Sequence, residues 1–135
     1  MQAQIIPLLV VNDVAANIEY LEKCLGFSTH RLSDGGEFAV MVYRGAFLMI
    51  ESRRLYASSR EMNFGEGAVG LGTETLIKIS DVEYVYNLAR NNGAEIARAI
   101  HSVAETAEFN IRRFSVSLPD GYLLTFFDYV HAEWY

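Results

Sequence analysis

Apolar and polar positions follow two periods along this chain, and the same order of periods occurs twice. QIIPLLVV (4–11) is an apolar run that stops at Asn12-Asp13 and reads as a buried strand. Asp13 suits a helix N-cap, because its carboxylate can accept a free amide of the first turn. Val14, Ile18, Leu21 and Leu25 then recur at spacings of 4, 3 and 4, the stripe of one amphipathic helix. Gly26 ends that helix, being the residue that enters the left-handed conformation most cheaply. Residues 27–32 read as a strand, SDGGE as a turn, FAVMVY (38–43) as a strand, Arg44-Gly45 as a tight turn and AFLMIE (46–51) as a further strand.

From residue 74 the order repeats. ETLIKIS (74–80) predicts a strand running into Asp81 as a second cap, with Val82, Val85 and Ala89 as the helical stripe and Gly93 as its stop. A strand at 94–99, a loop, the strand IRRFSVS (111–117), the turn LPDG (118–121) and the strand YLLTFFD (122–128) follow. The two caps lie 68 positions apart, and each half reads β-α-β-β-β. Four strands with one helix leave one apolar face needing cover, so the halves should associate. The fold predicted is α+β: two βαβββ modules forming a curved, nearly barrel-like mixed sheet around a cleft, with the helices outside. The chain is one domain, with module one at about 4–51, a connector at 52–73, module two at about 74–128 and a C-terminal tail at 129–135. The connector lacks periodicity and holds four glycines after Phe64, so it reads as a flexible segment able to fold over the cleft.

Composition narrows the function classes. Eleven Lys and Arg against 17 Asp and Glu give a net charge of -6, and only Arg53-Arg54 and Arg112-Arg113 pair basic residues, which excludes a nucleic-acid binder. No apolar run approaches the roughly 20 residues that span a bilayer. The N-terminus lacks the basic flank and cleavage site of a signal peptide, and Cys24 is the single cysteine, so the expected compartment is the cytoplasm. Aromatic residues, 13% of the chain, fit a β-rich core and identify no site.

IIPLLVVNDVAANIEYLEKCLGF (5–27) resembles the opening of the glyoxalase/bleomycin-resistance/extradiol-dioxygenase superfamily, also called vicinal oxygen chelate proteins. The spacing of Pro7, Leu9, Asp13 and Leu25-Gly26-Phe27 looks closest to the metal-free bleomycin-resistance branch. ISDVEYVYNLARNNG (79–93) is similar to the second-half opening, and RRFSVSLPDGYLL (112–124) to the closing strand-turn-strand, where Leu118 replaces the first Asp of the usual turn. The ordered set spans residues 5–128. In the family's enzymes the resemblance implies one divalent metal held by four side chains on the cleft face. Two sit seven residues before each helix cap and two sit four residues after each late hairpin glycine. Here the same count reaches Ile6, Glu74, Met49 and Thr125.

That set offers one carboxylate, a thioether, a neutral hydroxyl and a hydrocarbon. A divalent metal needs several His, carboxylate or thiolate donors, so no metal or other cofactor is expected, nor glyoxalase I, extradiol dioxygenase or metal-dependent thiol-transferase chemistry. His30, His101 and His131 read as lying on a strand end, a loop and the tail, with no partner at ligand spacing. Cys24 reads as a half-buried helix residue rather than an activated thiolate. There is no nucleophile elbow and no phosphate loop, and GEGAVGLG (65–72) is a loop. No catalytic residue is assigned.

Strand alternation gives the cleft face. Ile6, Leu8 and Val10, then Phe47, Met49 and Glu51, then Glu74, Leu76 and Lys78, then Leu123, Thr125 and Phe127 point inward. For the penultimate strand either Arg112, Phe114 and Val116 or Arg113, Ser115 and Ser117 face in. The resemblance favours the first, because Phe114 then takes the family's usual aromatic position. Glu74 and Lys78 stand about 13 Å apart at a strand rise of about 3.3 Å per residue, so each should have its own partner. The ligand-binding set is Phe47, Met49, Glu74, Leu76, Arg112, Phe114, Thr125 and Phe127, an apolar wall with few polar groups. The expected function is metal-free binding of a small organic molecule, a sequestered drug or metabolite, with the acidic balance favouring a cation. The resemblance also implies a homodimer, its modules paired or swapped between chains. Two alternatives stand: a metal-independent lyase or isomerase with Glu74 as general base, and a structural or regulatory dimer whose cleft is filled by its own side chains.

Overall fold

A computed structural model describes residues 2–61, 67, 69–70, 72–104 and 109–131. The elements are β1 (Leu8–Val11), α1 (Val14–Leu25), β2 (Ser28–Leu32), β3 (Phe38–Tyr43), β4 (Ala46–Ser52), α2 (Arg53–Arg60), β5 (Glu74–Lys78), α3 (Val82–Asn91), β6 (Ile96–Ala104), β7 (Phe109–Ser117) and β8 (Leu123–His131). They form two four-stranded mixed sheets, ordered β1-β4-β3-β2 and β5-β8-β7-β6. In each sheet the first strand runs parallel to its neighbour and the other pairs are antiparallel. The α+β class and the paired βαβββ modules stand as read from the sequence, but the sheets are separate and close no barrel.

One face of each sheet carries the core. Leu9 and Val11 of β1, Leu48 and Ile50 of β4, Phe114 and Val116 of β7, and Leu124 and Phe126 of β8 join the stripes of α1 (Val14, Leu21, Leu25) and α3 (Val82, Val85, Ala89) in one buried cluster. Phe114 stacks on Phe126 at 5.2 Å between ring centroids and meets Tyr86 of α3 edge-on. Because β7 alternates, Phe114 on the helix side forces Ser115 onto the opposite face.

Asp13 caps α1 through an Ala16 N–H at 2.9 Å, and Gly26 ends it in the left-handed conformation. Asp81 stands at the N-cap of α3, yet its carboxylate makes no capping bond, because the Arg44 guanidinium holds both oxygens at 2.5 and 2.9 Å. Other readings shift. The first strand starts at Leu8 rather than residue 4, although the Pro7 carbonyl already accepts from Met49. The expected connector opens on α2, whose eight residues bury no side chain against the core and so show no apolar stripe. Half of GEGAVGLG, residues 65, 66, 68 and 71, lies outside the described residues. His101 is in β6 rather than a loop, and Tyr129–His131 extend β8 into the expected tail, the rest of which lies outside the described residues.

The modules grip each other at two matching places. From the turn before β8, Asp120 reaches the start of α1, accepting from the Asn12 N–H and the Asn17 side chain, both at 3.1 Å. From the turn before β4, Arg44 reaches Asp81 at the start of α3. Beside the first grip, the Tyr122 hydroxyl accepts from the Val10 N–H and donates to the Val10 carbonyl, both at 2.9 Å, closing the outer edge of β1. Gly70 is buried against the Tyr122 ring, where any Cβ would stand 2.5 Å from a ring carbon.

Candidate functional site

The face of each sheet turned away from the helices carries most of the predicted residues. In the first sheet Leu8, Met49 and Val40 share one row and Val10, Glu51 and Phe38 the next. In the second, Leu76, Thr125 and Ser115 share a row, followed by Lys78, Phe127 and Arg113. Met49 and Phe127 are half-buried, and Leu76 is 55% exposed. Phe47 meets His30 edge-on at 5.8 Å.

Two predicted residues do not belong to this face. Phe114 is fully buried beneath α3, and the β7 residues on the face away from the helices are Arg113, Ser115 and Ser117, the other of the two parities. Apolar Phe114 and Val116 gain more from the closed core than from the open side. Arg112 follows Phe114 to the helix side, where it bonds Glu83 of α3 at 2.9 Å and Ser102 at 3.2 Å. Its expected place among the cleft-facing, ligand-binding residues is therefore incorrect.

Glu74 and Thr125 do meet. The Ser115 and Thr125 hydroxyls are 2.7 Å apart, and Thr125 donates to the Glu74 carboxylate at 2.5 Å. Thr125 is fully buried, while Glu74 is exposed beside a depression shared with Thr73, Gly121 and Leu123. Lys78 pairs with Asp128 at 3.3 Å, so the two charges have separate partners. The family's metal does not fit these residues. Thr125 spends its one proton on Glu74, Met49 offers only a soft thioether and Ile6 nothing, so one free carboxylate oxygen would face a cation that wants several hard donors.

A second opening lies elsewhere along the same boundary. A crevice of about 410 Å³ lies between the modules, walled by Ile5, Ile6 and Pro7, by Phe27, by Gly45–Leu48 and by Thr75–Ile77 with Leu124. Phe47 and Leu76 are the two predicted residues that line it, whereas Met49, Glu74, Thr125 and Phe127 do not. Sequence reading missed Phe27, Ala46, Thr75 and Ile77, because alternation names one face of a strand and this crevice opens at strand ends and edges, where both faces show. A signal was present nonetheless. Ala46 occupies the place after the hairpin glycine that Tyr122 fills in the second half, a small residue opposite a large one.

Burial pushes the Cys24 thiol above its usual range, and its Sγ donates to the Asn92 carbonyl at 3.2 Å, the behaviour of a packed helix residue. Burial likewise raises Tyr122, although its bond to Val10 works in the opposite direction. No helix among the described residues is long and apolar enough to cross a membrane.

No family model and no curated protein matches the sequence. Solved structures do match. A glyoxalase/bleomycin resistance protein/dioxygenase from Nocardioides superposes with a TM-score of 0.78 at 18% identity, covering 98% of this chain and 87% of the other. A protein of the same description from Alicyclobacillus acidocaldarius gives 0.73 at 15% identity over 97% and 94% of the two chains. TioX from Micromonospora sp. ML1 gives 0.72 at 15% identity over 96% and 100%. With paired modules, matched registers and these superpositions together, the chain has the fold of the glyoxalase/bleomycin resistance/dioxygenase proteins, the vicinal oxygen chelate fold.

Proposed function

We propose that this chain binds a small organic molecule in the crevice between its modules, without a metal, and holds it rather than transforms it. The observation that carries this reading is the crevice itself: about 410 Å³, within the range of small-molecule sites, with apolar walls from both modules. Its polar side chains are Gln4 and Thr75, and no charged side chain lines it. The net charge of -6 draws cations from a distance, but the walls favour a neutral guest. The proposed guest is a metabolite or drug and the proposed compartment the cytoplasm.

Equilibrium dialysis against a mixed panel of metabolites and drugs tests this. The protein should retain at least one compound, and Leu76→Arg, which places a cation at the crevice wall, should release it. Retention of nothing would sink the reading.

The Ser115–Thr125–Glu74 chain favours a second reading, in which Glu74 acts as a general base on the open sheet face. Turnover of a retained compound, lost in Glu74→Gln, would move the chain into that class. We also propose a homodimer. β2 and β6 are edge strands, and Leu32 of β2 is 50% exposed, an apolar side chain that a second copy could cover. Light scattering across a wide concentration range should report twice the chain mass.

A further inference from the structure

The crevice and the seat of the Tyr122 ring border equivalent residues of the two modules. Leu8 pairs with Met49 in the first sheet as Leu76 pairs with Thr125 in the second. Following β4 and β8 back to their turns aligns Gly45 with Gly121, whose φ angles are 83° and 89°, and therefore Ala46 with Tyr122. In the second module the ring lies against the outer edge of β1, and its hydroxyl answers both backbone groups of Val10. In the first module Ala46 stops at its Cβ, and the crevice lies there instead.

The strand edge facing that space is also matched. The parallel ladder of β5 runs through the Thr73 carbonyl and the Ile79 N–H, so the intervening even-numbered residues turn their N–H and C=O away from β8. β1 does the same, bonding β4 through the Pro7 carbonyl and leaving Val10 to Tyr122. Val10 corresponds to Lys78. Leu76, two residues earlier, presents the same outward pair of groups and lines the crevice.

We propose that the crevice selects a phenol: a small neutral molecule whose aromatic ring lies beside Ala46, one outward-facing residue short of the register the Tyr122 ring takes in the other module, and whose hydroxyl both donates to and accepts from the backbone of Leu76. This rests on the small-molecule reading above and names its chemical class. A strand edge sets a donor and an acceptor side by side, and a hydroxyl meets both with one atom. A ring without the hydroxyl shuts water from both groups and pairs neither, which costs affinity. Phe27 and Phe47 supply aromatic wall, offering the ring edge-on or offset contacts.

Three probes of nearly one shape separate the contributions: p-cresol, 4-methylanisole, which accepts but cannot donate, and toluene, which does neither. Titrations followed by backbone amide shifts should give p-cresol at least about tenfold tighter binding than either control, with the Ala46 and Leu76 amides moving most. Ala46→Tyr supplies the ring covalently. It should keep or raise the melting temperature and abolish p-cresol binding, and Ala46→Met fills the space without a ring should the tyrosine variant not fold. Equal affinity for all three probes overturns hydroxyl recognition and leaves the small-molecule reading standing. So does failure of p-cresol while the dialysis panel yields a compound that Leu76→Arg releases. Undiminished p-cresol binding in both Ala46 variants overturns the placement. Retention of no compound of any kind takes both readings down.

Discussion

Asn17 donates its side-chain amide to the Asp120 carboxylate at 3.1 Å across the module boundary, and the two are 1% and 4% exposed. The same amide nitrogen donates to the Asp13 carbonyl at 2.8 Å, while the other Asp120 oxygen takes the Asn12 N–H. A carboxylate at the start of α1 also meets the positive end of the helix dipole. Asp120→Ala removes the acceptor and leaves two donors short of partners, for an expected loss of about 1–3 kcal/mol in urea unfolding. Asn17→Ala should cost a similar amount. The double variant should lose less than the two together, because they share one bond. Strict additivity would show that the pair does not act as a unit.

Tyr122→Phe should lower stability by about 1–3 kcal/mol, since both bonds of its hydroxyl to Val10 are buried. Gly70→Ala should act at the same place by steric means, because the new methyl cannot coexist with the ring where it stands. The folded-state pKa of Tyr122 is raised by burial, so its contribution is complete below the ordinary tyrosine range and is lost as pH climbs through the raised value. Denaturation curves of Tyr122→Phe should therefore fall less steeply with alkaline pH than those of the parent. Tyr20, Tyr43 and Cys24, raised by burial in the same way, contribute to the remaining slope.

Arg44 lowers the Asp81 carboxyl below the usual carboxylate range through their bidentate bond. A lowered pKa stabilises the folded state above the ordinary Asp value, and the effect disappears as pH falls through the depressed one. Both side chains are partly exposed, 45% and 39%, so the pair contributes at most about 1 kcal/mol. Arg44→Ala should lose that increment near neutrality and converge with the parent in acid. A constant difference at all pH values would assign the loss to packing instead.

Thr125→Val keeps the shape of a fully buried side chain and removes the hydroxyl between Ser115 and Glu74. The Ser115 hydroxyl is then left without its partner, and unfolding should be easier by about 1–2 kcal/mol. Adding Ser115→Ala to the Thr125→Val variant should restore part of the loss, since no stranded hydroxyl remains.

Much of this molecule was legible because its two periods are undisturbed. Asp13, the Leu21 and Leu25 stripe and Gly26 each act where spacing put them, and the alternation of β4, β5 and β8 gave the correct face. β7 failed as a choice between Arg112, Phe114, Val116 and Arg113, Ser115, Ser117. Hydropathy alone would have sent Phe114 and Val116 to the core, and the family resemblance pulled the other way. α2 was invisible because it is one short helix whose Leu55, Tyr56 and Ala57 are only half-buried, too few for a recurring stripe. Its sign was the cap, Ser52, which accepts from the Leu55 N–H at 3.1 Å. The crevice was hidden because it depends on how two modules meet, which no single strand encodes.

Asp120 and Arg44 each leave their own module and fasten onto the helix start of the other, and the apolar cluster runs without a break through both. Neither half therefore holds a complete set of its own bonds. For calorimetry this means one cooperative endotherm rather than two, despite the internal duplication.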